Sequence, residues 1–429
     1  MRLKSFVFIL LLSLWAPPAT WGQTSTEPFT PSGVEKTMTT VFDPKASQEN
    51  TLTLYGSEEY TDNVNESAKA RSDMISIIGA RGNYIHQASR FQVKAALDGS
   101  YNAYALGNHA NEFKGSGQAT ATVAAVPNLL FLEGEDRFRQ VYTSLTTGET
   151  NPTDTSRDQV TQNSSTARVY VTPHFNDRLE LKLGTSYGAI AYSQSDNATD
   201  KQYYTAFGQS FYALTSTFKL STETEVIHID TNHRSQDKYL CSGGFIWNYS
   251  ETGSFEAKSG PRLNTYSTHA SQLDWYWNAL LSQSFKRYTF SLDTSSLDVE
   301  NPSTNYSSRT QKAGASLAWQ GERLGLRARG EYVFLNGQET ADTRQVNTSL
   351  TGSYDLTPRL TLKAAGSRNV SAQSGNNITR WYADGSLSYA LNDRYSLECY
   401  YRWKIAESSS SSNNSYTLDR FGLSIKRTF

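Results

Sequence analysis

From about residue 50 the chain repeats one phrase, a short polar turn followed by a strand in which apolar and polar side chains alternate. Asn176-Asp177-Arg178 leads into Leu179-Glu180-Leu181-Lys182-Leu183, and Lys286-Arg287 into Tyr288-Thr289-Phe290-Ser291-Leu292. Gly321-Glu322-Arg323 leads into Leu324-Gly325-Leu326-Arg327, and Thr357-Pro358-Arg359 into Leu360-Thr361-Leu362-Lys363. Alternation of this kind is the period-2 signature of a strand with one apolar and one polar face. Because the polar face carries full charges, the simplest sheet is a transmembrane barrel with lipid on one side and water on the other.

Nine tight turns can be placed, near Gln87-Ala88, Pro127-Asn128, Asn176-Asp177, Thr215-Ser216, Glu251-Thr252, Phe285-Lys286, Gly321-Glu322, Thr357-Pro358 and Asn392-Asp393. They recur every 34 to 39 residues or so, with one gap of about 50, the spacing of a repeated two-strand module. Between them lie longer segments rich in Ser, Thr, Asn and Asp, such as Thr147 to Asn163 and Ser408 to Ser415. Short turns at one end and longer loops at the other match bacterial barrels, whose turns are periplasmic. The expected fold is all-β, an antiparallel up-and-down barrel of about 20 strands, within two either way, over residues 50–429. Closure leaves no backbone hydrogen bond facing lipid.

Parity assigns the faces. Leu130, Leu132, Phe138 and Tyr142 oppose Glu133, Glu135, Arg137 and Arg139; Leu324, Leu326, Ala328, Tyr332 and Phe334 oppose Arg323, Arg327, Arg329 and Glu331. Leu397, Cys399, Tyr401, Trp403 and Ile405 oppose Glu398, Arg402 and Lys404. The apolar set must face lipid, where Arg or Lys at the midplane costs about 2–4 kcal/mol. Glu133, Glu135, Arg137, Arg139, Arg327, Arg329, Glu331, Arg402 and Lys404 then line the lumen, either to select solutes or to stiffen the wall through cross-strand salt links. Asp136 breaks the apolar parity and is expected near an interface or at a bulge. Trp275-Tyr276-Trp277, Trp381-Tyr382 and Trp247-Asn248-Tyr249 read as boundary anchors.

The first residues read as a secretory signal: Arg2 and Lys4, an apolar run from Phe6 to Trp15, then Thr20-Trp21-Gly22 at a cleavage site. The expected organisation is a signal peptide over 1–22, a periplasmic linker over 23–49 and the barrel, placed in the bacterial outer membrane after cleavage. No stretch approaches the 18 or so consecutive apolar residues of a membrane helix. Mean hydropathy is negative, which is no argument against a barrel, because only alternate residues touch lipid. The 26 Tyr, 19 Phe and 8 Trp suit aromatic belts. A net charge of −1 gives no pull toward nucleic acid. Cys241 and Cys399 fall on distant strands and are expected to be separate thiols.

Catalytic chemistry finds little support. His228 with Asp230 and His233 is the one arrangement that resembles a rim site, and no serine nucleophile can be assigned to it. The spacing of the histidines fits no zinc pattern, and there is no phosphate loop or dinucleotide fingerprint. The chain is therefore expected to be neither an enzyme nor a carrier of a metal or cofactor.

The segment Tyr55-Gly56-Ser57-Glu58-Glu59-Tyr60-Thr61-Asp62-Asn63-Val64, with Arg71-Ser72-Asp73-Met74-Ile75, Val126-Pro127-Asn128-Leu129-Leu130-Phe131-Leu132 and Val171-Thr172-Pro173-His174-Phe175, resembles the beta-barrel porin family associated with exopolysaccharide and exosortase (PEP-CTERM) systems. That resemblance implies an outer-membrane barrel serving export or surface retention of polysaccharide or protein. The final strand, with Phe421, Leu423, Ile425 and Phe429 at one parity, looks like the C-terminal signal read by the barrel assembly machinery; Arg427 departs from it. The expected partners are outer-membrane lipid, that machinery, and polysaccharide or export components. The expected function is a porin-like channel or envelope export component with a charged lumen; the alternatives are a non-conducting surface scaffold or adhesin, and a lipid-modifying enzyme.

Overall fold

A computed structural model describes residues 50–142, 159–193, 198–231, 234–299, 302, 304, 306–336, 342–373, 376–409 and 415–429. The proposed signal peptide, the 23–49 linker and His233 lie outside the described residues. Those described form a single antiparallel sheet closed on itself. Twenty strands make the wall, running from Thr51–Thr61 to Tyr416–Thr428, with the sixth interrupted between Val171 and His174. Both pieces of that sixth strand pair with Leu179–Tyr192. Pro173, which has no N–H to give a ladder, sits at the interruption. The first and last strands pair in register, Gly56 opposite Ile425 and Glu59 opposite Gly422, which closes the barrel.

All nine expected turns occur, and the sequence chemistry that makes them is visible. The Asn176 carboxamide oxygen accepts the N–H groups of Arg178 and Leu179, both at 2.9 Å. Asn392 does the same for Arg394 and Tyr395, and the Thr357 hydroxyl for Arg359 and Leu360 at 3.3 and 3.0 Å. Such short side chains reverse the chain because they bond backbone two or three residues on. A second regularity follows. In every turn the residue just before the ascending strand offers its carbonyl to the strand two places on, as in Ala124 N–H to Arg90 and Thr172 N–H to Leu129. Each hairpin is thereby stitched to the next at the same rung.

The outer surface carries the apolar parity: Leu132, Val169, Leu183, Leu220, Leu326 and Leu423 are all exposed. On the strand Gln272–Phe285, Trp275 and Phe285 bracket the apolar stretch, a separation of about 10 residues that suits a tilted membrane strand. Aromatic contacts mark both boundaries, Tyr187 with Tyr204 at 5.2 Å on the loop side and Trp247 with Tyr249 at 5.5 Å on the turn side. The fold is thus an outer-membrane-type β-barrel. Tyr276 and Tyr382 correct the expectation that whole aromatic clusters sit in the belts. Their Trp neighbours point outward, so alternation turns these two inward, where Lys258 and Lys404 lie over their rings. Asp136 lies in regular register opposite Ser165, whose hydroxyl donates to it at 2.9 Å, one outward row beyond Tyr187. Both cysteines are free.

Candidate pore and its outer mouth

The nine charges expected in the lumen all occupy the inward parity. Eight are engaged with neighbours. Glu133 pairs with Arg168, which also lies 3.5 Å from Glu135. Arg137 donates to Gln118 at 2.9 Å, and Arg139 to Gln162 at 3.1 Å. Arg329 spans Asp293 with two hydrogen bonds, at 3.0 and 3.1 Å, and reaches Glu331 at 2.8 Å. Arg402 donates to Asp384 at 2.7 Å, and Lys404 pairs with Glu66. Arg327 differs: it is exposed and makes no ion pair among the described residues. Arg–carboxylate pairs of this kind, bonded across neighbouring strands, stiffen a wall as well as colouring its charge.

At the loop end the inward face is occupied by the chain itself. The decisive element is the hairpin formed by Tyr288–Val299 and Ser308–Gln320. Its two strands remain paired as far as Val299 and Ser308, and the second stays paired with the following strand up to Arg309 and Asn336. Pairing with the preceding strand, however, stops at Trp277 and Ser296. The upper hairpin has peeled off that edge and folded inward over the strands that precede it. Pro302 accepts a hydrogen bond at 2.9 Å from Thr199 N–H, on the loop between the strands Leu179–Tyr192 and Lys201–Ala213. That contact lies on the far side of four intervening strands.

An ionic network fastens the hairpin. Lys238 Nζ and Arg262 Nη1 approach Asp298 at 2.8 and 3.1 Å. Arg262 also bonds Asp274 with two hydrogen bonds, at 2.9 and 3.2 Å, and Arg309 lies 3.5 Å from Asp274. Arg309 further donates to the Trp275 carbonyl at 3.3 Å, an edge group uncovered by the departure of the hairpin. Tyr306, 1% exposed, packs against Tyr266 and His269, and its hydroxyl lies 2.7 Å from that of Thr268. Lys238 also donates to Ser307 at 2.9 Å.

None of these residues was expected from parity alone, although a signal exists. Leu292 and Thr294 are succeeded at the same parity by Ser296 and Asp298, and Leu317, Ala315 and Ala313 by Gln311 and Arg309. The face that should meet lipid turns polar where the hairpin leaves the membrane. Polarity on the wrong face marks the fold-in.

A second inward element covers the seam of the barrel. After Thr61 the chain turns in, with Asp62 accepting Asp419 N–H at 2.7 Å and the Asn63 amide donating to the Thr417 carbonyl at 2.9 Å. Val64 is buried against Ile75 and Tyr104. Glu66 accepts from Tyr416 at 3.0 Å and pairs with Lys404. Burial opposes ionisation of Glu66, but Lys404, Arg420 and the Tyr416 hydroxyl outweigh it and hold the carboxyl below its ordinary range. A carboxylate lowered on folding stabilises fully above the unfolded value of about 4.3, and that stability is lost as pH falls toward the folded value. Protection of residues 62–72 against hydrogen exchange, taken relative to the intrinsic rate at each pH, should therefore stay high at pH 6 to 8 and fall in acid. In Glu66→Gln it should already be low at neutral pH. An acid response unchanged in that variant would assign the effect elsewhere.

A third element is apolar. Ile190, Tyr192, Tyr203, Ile227 and Ile229 cluster on the inward parity at the loop end, with Val141, Val160 and Ala198 against them. The alternative chemistry fares differently from its sequence expectation. His228 and Asp230 face outward, and His228 pairs through Nδ1 with Asp237 at 2.6 Å, a residue of the adjacent strand. Asp230 is not its partner. Among the described residues no cluster of His, Cys, Asp and Glu suits a metal ion.

No protein-family profile matches the chain, and no curated protein does. Solved structures share the barrel. The siderophore receptor PirA from Acinetobacter baumannii is similar with a TM-score of 0.53 at 8% identity, covering 90% of this chain and 81% of that one. The FrpB iron transporter from Neisseria meningitidis, F5-1 variant in its apoprotein form, is similar with a TM-score of 0.50 at 9% identity, covering 88% and 81%. Likeness at this identity establishes the fold.

Proposed function

We propose that the chain is an outer-membrane channel whose external mouth is held shut by the inward hairpin, so that it passes solutes only when that hairpin moves. The observation that carries this reading is the inward turn of the hairpin: Asp298, Arg309 and Pro302 reach Lys238, Arg262, Asp274 and Thr199 over the inner face of the preceding strands. Two of the solved neighbours are a receptor for siderophores and an iron transporter, which accords with movement of solutes through such a barrel. Polysaccharide as the solute has no comparable support, since the inward Tyr276 and Tyr382 lie under lysines and Tyr192 and Tyr203 are buried in the apolar cluster. The outward Phe421, Leu423, Ile425 and Phe429 support recognition of the last strand by an assembly machinery. Arg427 is accommodated at the turn-side rim, stacked on Phe429 at 4.3 Å and Tyr395 at 5.3 Å.

The test is conductance in planar bilayers, comparing the native chain with a variant whose residues 298–309 are replaced by Asn-Gly. The native barrel should give small or brief openings, and the shortened barrel large steady ones. If a shortened barrel that still migrates as folded on unheated gels conducts nothing, the channel reading is lost.

A further inference from the structure

The turn repeat has a chemistry beyond chain reversal. In six of the nine turns the residue before the ascending strand is arginine: Arg90, Arg178, Arg287, Arg323, Arg359 and Arg394. Each offers its carbonyl to a ladder N–H at 2.8 Å, from Ala124, Ala213, Gln320, Asp355, Ala390 and Thr428 respectively. That bond makes each arginine one more rung of the sheet, and the rung fixes its parity. The next residue in every case, Phe91, Leu179, Tyr288, Leu324, Leu360 or Tyr395, belongs to the outward, apolar set. The arginines therefore occupy the lumen-side parity and ring the turn-side mouth. All six are exposed.

The acidic residues of these turns do not cancel the ring. Asp177, Glu322 and Asp393 each stand one place earlier, at the turn apex and on the opposite parity. Arg287 lies 3.6 Å from Glu322 with both side chains largely in water, where an ion pair contributes little. Asp355 shares a rung with Arg323 and accepts a hydrogen bond from Thr361 at 2.8 Å. Farther in, Lys94, Arg327 and Lys363 add exposed cations on the inward parity, with no ion pair among the described residues. Cations gathered at one mouth of a barrel raise the local concentration of counter-ions.

We infer that this turn-side vestibule is an anion-selecting site, and that the solute carried by the proposed channel is negatively charged. The inference rests on the channel reading for its transport sense, whereas the binding of anions by the ring does not. Reversal potentials in a KCl gradient test the first, using the hairpin-shortened barrel in three forms: native ring, all six arginines changed to Gln, and all six changed to Lys. Chloride should be favoured several-fold over potassium with the native and Lys rings, and the preference should collapse with Gln. An open pore that prefers potassium, or whose preference survives the Gln changes, overturns the inference. If none of the forms conducts, the channel reading has failed, and calorimetric titration of the full-length proteins in detergent with inorganic triphosphate decides the ring alone. Binding to the native and Lys forms but not the Gln form upholds it, and no binding to the native form refutes it.

Discussion

Asp298→Asn should unseat the hairpin. The substitution keeps the shape of the side chain but removes the carboxylate on which Lys238 and Arg262 converge, and both cations are about 5% exposed. Breaking a buried pair by removing one partner costs about 3–5 kcal/mol, because the remaining charge is left without compensation in a poorly solvated place. Arg262 retains Asp274, so Lys238 bears most of the loss. The measurable consequence is exposure of the hairpin. With Cys241 and Cys399 changed to Ala, a Ser307→Cys reporter should react with a bulky maleimide slowly in the native background and at least tenfold faster beside Asp298→Asn. Lys238→Met should largely restore protection, since it removes the stranded charge. Equal labelling rates with and without Asp298 would mean that the network does not hold the hairpin.

Gly260→Ala should damage the wall itself. Register between the strands Ser235–Ser250 and Gly253–Tyr266 runs from Gly243 and Ser259 to Trp247 and Phe255, shifts before Ser250 at the turn, and on the other side resumes at Leu240 and Arg262. Between them the two backbones draw together. A Cβ on Gly260 would stand 1.9 Å from the Cys241 carbonyl oxygen and 2.6 Å from Ser242 Cα. These are backbone atoms with no rotamer to yield, and Pro261 beside them has no N–H to repair the ladder. The added methyl must push the strands apart at the level where Arg262 meets Asp274 and Asp298. A cost of about 3 kcal/mol is the upper end of ordinary overpacking and the expected size here. Urea unfolding in detergent, followed by the gel shift of folded barrel, should move to clearly lower denaturant. Gly243→Ala is the control, because a Cβ there meets nothing within 4 Å. If both substitutions behave alike, the close approach at Gly260 is not a constraint.

Much of this architecture was legible in the residues, for a specific physical reason. Alternation and turn chemistry are local, so Asn176, Thr357 and Asn392 announced their turns and Leu324 to Glu331 announced their faces. Strand number followed from counting those turns. What escaped was non-local. Whether a hairpin continues the wall or folds inward depends on partners about 100 residues away in sequence, such as Pro302 and Thr199. The polarity of Ser296, Asp298, Gln311 and Arg309 on the lipid parity carried the clue, but read alone it looks like a strand leaving the membrane into water. Tyr276 was missed for a simpler reason. An aromatic triplet invites treatment as one anchor, whereas alternation forbids its middle member from sharing a face with the other two. The partners of the lumen charges were equally hidden, because register decides that Arg168 meets Glu133 and Arg329 meets Asp293.

The seam between the first and last strands sets the order of events in building the molecule. Thr53 finds its partner in Thr428, and Leu52 accepts the N–H of Phe429. Contacts this distant in sequence cost the most chain entropy to form and make folding slow. Until residues 420 to 429 arrive, the strand Thr51–Thr61 has a bare edge, and a bare edge is a template for pairing with other chains. The barrel must therefore be kept from aggregating as a nearly whole polypeptide before its last rung can exist. Its vulnerability lies in delivery more than in the finished wall.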